Sequence, residues 1–312
     1  MGIDDIKETL AAEMDKVNVS DSYKTTMDIE DGLLALWENP EHEKGDNLRW
    51  VNIELALKPE LYLLTGIPSS GKSTWLDNVI VNSIDMHDYK WAVFSPESHP
   101  LEMHMKQLIE MHTCTNFYGA YNYQRTTKED IRNSLRTLSD KLFMLTPSEQ
   151  DMSIESILEL IEYLVVEKGV NAFVLDPYNE FSHTRPNGIS ETEYVSRFLG
   201  RIRAFINEHN VMAWIVAHPT KLRKEDITLQ NGSKVFDYPV PTAYDVAGSA
   251  NFFNKPDNII AVHRDKNIER NPDNLVSINV QKVRRKTTGK LGAYWLKFNF
   301  NDGTFTSWSG EC

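Results

Sequence analysis

From residue 60 onward, short apolar runs alternate with longer stretches whose apolar positions recur every three or four residues. LYLLTG (61–66), WAVFSP (91–96), KLFMLTP (141–147), NAFVLDP (171–177) and VMAWIVAHP (211–219) are of strand length and apolar at most positions. Such runs suit strands covered on both faces. Between them, 72–86, 100–113, 126–139 and 153–168 carry a helical period, and a further helix opens at Ser190. Thr126 with Glu129, and Ser190 with Glu193, have the spacing of a capping box. Behind Ser190, the positions Val195, Phe198, Leu199, Ile202, Phe205 and Ile206 fall on one helical face. Strands alternating with helices predict an α/β fold: a mostly parallel sheet with helices on both faces.

Three regions break the rhythm. The polar segment 220–245 is long enough to need either a function or disorder to explain it. Beyond it, NIIAVHR, NLVSINVQKVRR and AYWLKFNF are joined by NPDN and TTGK turns, which predicts antiparallel C-terminal strands extending the sheet edge. Residues 1–50 read as an acidic helical leader or linker, with amphipathic stretches at 3–17 and 28–37 before the polar NPEHEKGDN (39–47). Residues 51–312 then form one domain.

Composition narrows the class. The chain has 312 residues, 41% apolar and 10% aromatic, ordinary for a protein with a sizeable core. Nothing approaches 18 consecutive apolar residues, so no membrane partner is expected, and the acidic N-terminus does not resemble a signal peptide. Two cysteines, Cys114 and Cys312, can build neither a disulfide framework nor a four-Cys zinc ribbon. A reducing, cytoplasmic compartment is expected, the host cytoplasm for a phage protein. The net charge of −12 argues at first against a nucleic-acid partner. Its placement weakens that argument: residues 1–60 hold 15 acids and 6 bases, leaving 30 acids and 27 bases for the rest.

The strongest chemical signal is Gly66-Ile67-Pro68-Ser69-Ser70-Gly71-Lys72-Ser73, followed by Thr74. It satisfies GxxxxGK[ST] and lies between a predicted strand and a predicted helix, as a phosphate-binding loop requires. Small residues let consecutive backbone N–H groups wrap phosphates at a helix N-terminus. Lys72 would reach the outer phosphates and Ser73 would offer its hydroxyl to Mg²⁺. Asp176, closing AFVLD, suits the carboxylate that holds the metal's water shell, with capping of the turn before Pro177 as the bland alternative. Glu97, after WAVFSP, is the first candidate to activate a water, and Glu180 is its competitor. His218 ends WIVAH, where it could donate to a γ-phosphate or be purely structural. His99, His104 and His112 lie near Cys114 without the spacing of a zinc site.

Two basic features remain. Lys282, Arg284, Arg285, Lys286 and Lys290 crowd into 281–290; they are either a charged edge strand or cations for a transferring phosphoryl group, with Lys282 and Arg284 on one face. In 220–245, Lys221, Arg223, Lys224 and Lys234 accompany Phe236 and Tyr238. They suit a flexible loop tracking a nucleic-acid strand, or an ordinary surface loop.

The ordered series TGIPSSGKST, FSPES, FVLDPYNEF, SETEYVSR, WIVAHP, YDVAGSANFFNKPDNIIAVHR and QKVRR resembles the Twinkle-like, DnaB-type hexameric replicative helicases over about 45–305. The resemblance implies a RecA-like P-loop NTPase core in a head-to-tail ring, with ATP or another NTP or dNTP at each interface. It makes Glu97 the catalytic carboxylate, His218 the γ-phosphate sensor, and Lys282 and Arg284 the pair reaching the neighbouring subunit. It makes 182–190 and 220–245 the loops that hold single-stranded DNA, and implies forked DNA, a primase or other replisome proteins as partners. KPEL (58–61) lacks the glycine usual before the first strand, and the zinc ribbon and D-x-D pair of a primase are missing, so the chain is expected not to prime. The rival readings are a RecA- or KaiC-like ATPase of recombination or signalling, and a nucleotide-dependent assembly or loader subunit with little turnover.

Overall fold

The computed structural model describes residues 24–39, 44–98, 100–119, 123–148, 152–181, 188–220, 222–228, 234–246, 250–265, 267, 271 and 273–308. The expected helix at 3–17 lies outside them. The chain divides into two compact units, Met1–Gly45 and Asp46–Cys312. In the first, a 3-10 turn (Met27–Ile29) leads into α1 (Glu30–Glu38), and neither buries a residue. Thr25 donates from its N–H and hydroxyl to Asp28, which closes the start of that turn.

The second unit runs β1 (Asp46–Asn47), β2 (Ala56–Leu57), β3 (Leu61–Thr65), α2 (Lys72–His87), β4 (Trp91–Phe94), α3 (Leu101–Thr113), α4 (Lys128–Leu138) and β5 (Leu142–Met144). It continues through α5 (Ile154–Lys168), β6 (Ala172–Leu175), α6 (Glu191–His209), β7 (Met212–Val216), β8 (Glu225–Thr228) and β9 (Lys234–Asp237). The last elements are α7 (Asn251–Asn254), β10 (Asn258–His263), β11 (Leu275–Val283), β12 (Gly292–Phe298) and β13 (Phe305–Ser307). Among the described residues the main sheet has nine strands in the order β13-β12-β11-β10-β3-β7-β6-β4-β5. From β10 to β5 the neighbours are parallel; β10–β11, β11–β12 and β12–β13 are antiparallel, as the turn-linked C-terminal runs predict.

The apolar runs are strands because both of their faces are covered. In β3, Tyr62 and Leu64 enter one core and Leu61 and Leu63 the other; in β7, Met212, Trp214 and Val216 part from Ala213 and Ile215 in the same way. On the first face lies α2, through Trp75, Leu76, Val79, Ile80 and Ile84, with Trp214 between Tyr62 (4.5 Å, stacked) and Trp75 (5.9 Å, edge-on). On the second lie α5 and α6, and the six positions expected on one face of α6 are its buried residues. No helix among the described residues is long and apolar enough to cross a membrane.

Helix ends follow local chemistry, with one correction. Ser153 and Ser190 accept from the backbone N–H groups of Ser156 (3.1 Å) and Glu193 (3.2 Å). Gly169, at φ 70°, ends α5 in the left-handed conformation. The box expected at Thr126 and Glu129 forms one residue later, between Thr127 and Asp130. Thr126 is buried and otherwise engaged: its hydroxyl meets Thr115 (2.8 Å) and its N–H donates to the Asn116 carbonyl (2.9 Å).

The segment 220–245 is the larger correction. It contains the β8–β9 hairpin, pairing Glu225 with Asp237 and Thr228 with Lys234, where the sequence reading expected a flexible loop. Thr220 donates to the Asp245 carbonyl (2.9 Å) and closes the segment at its base.

Candidate nucleotide site

The parallel strands bring their C-terminal ends to one edge of the sheet, where ligands of open α/β sheets gather. Gly66 follows β3, Glu97 follows β4, Asp176 follows β6 and His218 follows β7. Gly66 is required by close approach: a Cβ there would come within 2.4 Å of the Val262 carbonyl oxygen and 2.7 Å of Ser70 Oγ. Ser69 (φ 62°) and Gly71 (φ 93°) turn the backbone into the first turn of α2. Lys72 is buried, and its Nζ donates to the carbonyls of Gly66 (2.9 Å) and Ile67 (3.1 Å). The ammonium therefore lies across the loop it belongs to. The buried Ser70 hydroxyl has no partner among the described residues.

Ser73 Oγ donates to Asp176 Oδ2 at 2.9 Å, joining the start of α2 to the end of β6. Burial, with the charges of Asp77 and Glu97, lifts the Asp176 carboxyl to about 6, against the opposing Ser73 hydrogen bond and Lys72 charge. Hydroxyl and carboxylate oxygens suit a hard cation. No cluster of three or more His, Cys, Asp or Glu that could hold a metal occurs among the described residues. Mg²⁺ commonly takes only one or two protein carboxylates, completing its shell with water and substrate phosphate, so this donor pair fits it. Glu97 is exposed at the tip of a turn closed by the Ser98 N–H to the Ser95 carbonyl (3.0 Å), near enough to Asp176 for its charge to act there. Nothing is described of the Glu180 side chain.

A buried carboxylate lifted to about 6 is a cost to the fold in its ionised form. The unfolded carboxyl ionises near 3.8, so stability falls between that pH and about 6, and above it the loss is complete. At about 1.4 kcal/mol per pH unit the loss is about 3 kcal/mol. Asp176→Asn is therefore expected to stabilise the ligand-free protein at pH 7.5 by up to that amount, with no gain below about pH 4. Denaturant melts at the two pH values measure it, and an unchanged midpoint at pH 7.5 would contradict the buried charge.

His218 is half-buried, held below its ordinary pKa first by burial and then by the Lys72 charge, so its imidazole is neutral near pH 7. Thr65 Oγ1 donates to the Ala217 carbonyl (2.9 Å), tying the strand before the phosphate loop to the strand before His218. The other noted histidines are engaged elsewhere: His104 meets Asp77 (3.0 Å), and His112 meets Ser134 (2.9 Å) and Asp85 (3.4 Å). His99 lies outside the described residues.

Lys282 and Arg284 do not join this cluster. Because β11 is antiparallel to β10, Val283 pairs with Asn258, which pairs with Tyr62 at the start of β3. The phosphate loop lies about 13 Å further along, four residues at 3.3 Å each, on the opposite edge of the sheet. Lys282 Nζ donates to the Phe253 (2.7 Å) and Asn254 (3.0 Å) carbonyls. Arg284 Nε lies 2.8 Å from Asp257, a buried carboxylate that also binds Arg203 and the Leu61 N–H. Sequence reasoning gave neither Asp257 nor Arg203 a role at the site.

Beside the phosphate loop opens a cleft of about 1490 Å³, lined by Ile67 and Pro68, by Ile227 and Phe236 of the hairpin, and by Arg264 and Trp295. Arg264 lies over the rings of Phe300 (4.8 Å) and Phe298 (5.5 Å). Sequence reasoning missed this arginine, since only the β3–β10 pairing brings it to the loop. On the hairpin, Arg223 and Lys234 are exposed, while Lys224 lies 3.8 Å from Asp237 and 5.2 Å over the Tyr238 ring. Lys221 and most of 182–190 lie outside the described residues.

No protein-family model matches the chain. It is 34% identical over 272 residues, 85% of its length, to the Twinkle homolog protein, chloroplastic/mitochondrial, of Arabidopsis thaliana. It spans only 37% of that relative. The ATPase domain of G40P superposes with a TM-score of 0.68 at 17% identity, over 90% of this chain and 99% of that one. A DnaB-like replicative helicase, described with its interactions with primase, gives 0.65 at 17% identity, over 97% of this chain and 71% of that one. At such identities the two solved structures share the fold. The two solved structures show that the RecA-like P-loop core has the fold of DnaB-like ATPase domains, and by the sequence match the chain belongs to the Twinkle-like group.

Proposed function

We propose that this chain is the motor of a ring helicase that moves along single-stranded DNA in replication, hydrolysing ATP or another nucleoside triphosphate between subunits. The observation that carries this reading is the separation of the two halves of the site. The phosphate loop, Glu97, Asp176 and His218 share one edge of the sheet, and Lys282 and Arg284 occupy the other. Cations so placed cannot serve their own phosphate loop, but in a head-to-tail assembly they can serve a neighbour's. Such an interface is heterologous and makes a ring where its rotation closes, here proposed to be a hexamer.

Within each site, backbone N–H groups of 67–73 and Lys72 would cradle the phosphates, with Thr74 in the same first turn. The Lys72 ammonium would exchange the Gly66 and Ile67 carbonyls for phosphate oxygens. Ser73 and Asp176 would hold Mg²⁺, which supplies charge neutralisation at the phosphates. Glu97 would take a proton from the attacking water, and neutral His218 would donate to the γ-phosphate. Arg264 would offer its guanidinium plane to the base. His218 is separated from Thr220 by a single residue, so a shift at the phosphate reaches the base of the hairpin directly. Arg223, Lys224 and Lys234, with Lys221, would contact the DNA backbone, and a primase or other replisome protein would be a partner.

A strand-displacement assay on forked duplex DNA tests the proposal. ATP-dependent unwinding by a ring-sized particle is expected; filament formation without unwinding would overturn it. Few phosphates are neutralised by so small a set of cations, so the salt dependence of DNA binding should be shallow. A slope as steep as that of proteins contacting 6–10 phosphates on duplex DNA would count against binding by the hairpin.

A further inference from the structure

Behind the phosphate loop lies a second, small cavity of about 10 Å³, lined among others by Ser73, Asp77, Ser95, His104 and Asp176. That space is about one water probe sphere. His104 and Asp77 are 6% and 7% exposed, and His104 Nε2 lies 3.0 Å from Asp77 Oδ1. A carboxylate only accepts hydrogen bonds, so Nε2 carries the proton and donates to it. The other ring nitrogen, Nδ1, is buried with no partner among the described residues. A buried polar atom beside a cavity of this size and polarity is the setting in which proteins hold an ordered water.

The charges point the same way. Asp77 raises the pKa of Asp176, and Asp176 in turn acts on His104, so the three groups share one electrostatic environment. His104 is raised above its ordinary value because the Asp77 hydrogen bond and the two carboxylate charges outweigh burial, the largest opposing effect. The imidazole thus bonds one buried carboxylate and shares the cavity with a second, which bonds Ser73 at the nucleotide site.

We propose that His104, oriented by Asp77, is a positioning residue for Asp176: through a water in this cavity its free Nδ1 holds the carboxylate against Ser73, ready for the metal of a bound nucleotide. The inference rests on the reading of Asp176 as the Mg²⁺-associated acid. Groups that orient a metal-binding side chain from behind typically change metal affinity by 10–100-fold when removed.

Two substitutions separate this role from simple packing of α3 on α2. His104→Gln can keep a donor near the Nε2 position for Asp77 but has nothing at Nδ1. His104→Asn keeps a polar atom near Nδ1 and gives up Asp77. The readout is equilibrium binding of a fluorescent ADP analogue to the full chain, titrated with Mg²⁺ and repeated without it. His104→Gln is expected to raise the Mg²⁺ midpoint about 10-fold or more, with Mg²⁺-free binding unchanged, and His104→Asn is expected to lie closer to wild type. Thermal melts report folding; should His104→Gln fail to fold, Asp77→Asn, which preserves volume, carries the same expected direction. Asp176→Asn is the control. If it shifts the midpoint and His104→Gln, or Asp77→Asn in its place, does not, the positioning role is wrong and the metal site stands. If Asp176→Asn shifts nothing, the metal-site reading fails and the inference fails with it.

Discussion

Arg284→Ala is expected to lower nucleotide turnover in the assembled ring by about 10³–10⁵-fold, the range for an arginine finger. Nucleotide binding by the phosphate loop should change far less. The size follows from desolvated positive charge meeting the transferring phosphoryl group, and its origin in trans follows from the sheet. Arg284 is held by Asp257 at 2.8 Å, level with the start of β3, whereas the phosphate loop follows the end of that strand. Mixed rings give the decisive measurement. Arg284→Ala subunits retain Lys72, and Lys72→Ala subunits retain Arg284. In an equal mixture about a quarter of the interfaces should combine both intact groups, so activity should return although neither variant is active alone. Failure to recover any activity would place the arginine's action within its own subunit, or remove it from the reaction.

Glu97→Gln is expected to reduce hydrolysis by about 10²–10⁴-fold, the usual contribution of a positioned general base. The substitution preserves shape and removes only the ability to take a proton. Nucleotide affinity should stay near wild type, because the cradle of Gly66, Lys72 and Ser73 is untouched. Steady-state phosphate release, with fluorescent-nucleotide binding alongside, separates the two effects. The variant should also hold single-stranded DNA in the presence of ATP, since the step that releases it is blocked. Turnover equal to wild type would transfer the role to Glu180, which follows Asp176 at a similar remove in the chain.

Much of the molecule was legible because its signals are local. The phosphate loop is contiguous, and its strand and helix declare themselves by period. The face of α6 was readable at all six buried positions, and the split of β3 between two cores follows from alternation alone. Where local signals competed, reading failed. Thr126 and Thr127 are adjacent hydroxyls, and only the contact between Thr115 and Thr126 decides which is left to cap α4. The β8–β9 hairpin was missed because its residues are mostly polar and half-exposed, so no apolar period marks them. Arg264 and Asp257 were not singled out as site residues, and His104 was weighed only as a zinc ligand, because a polar side chain has no partner until the chain is folded.

By itself the sequence determined the kind of elements, their order along the chain and the chemistry of the loop between β3 and α2. Local sterics and the periods of helix and strand set these, and they need no distant residue. The tertiary structure alone decided strand order, with β7 and β6 lying between β3 and β4 and β10 on the other side of β3. That order gathers Glu97, Asp176 and His218 beside Lys72, brings Arg264 to the cleft, and sends Lys282 and Arg284 to the far edge. Order of this kind comes from long-range packing and the handedness of crossovers, to which no run of neighbouring residues is sensitive.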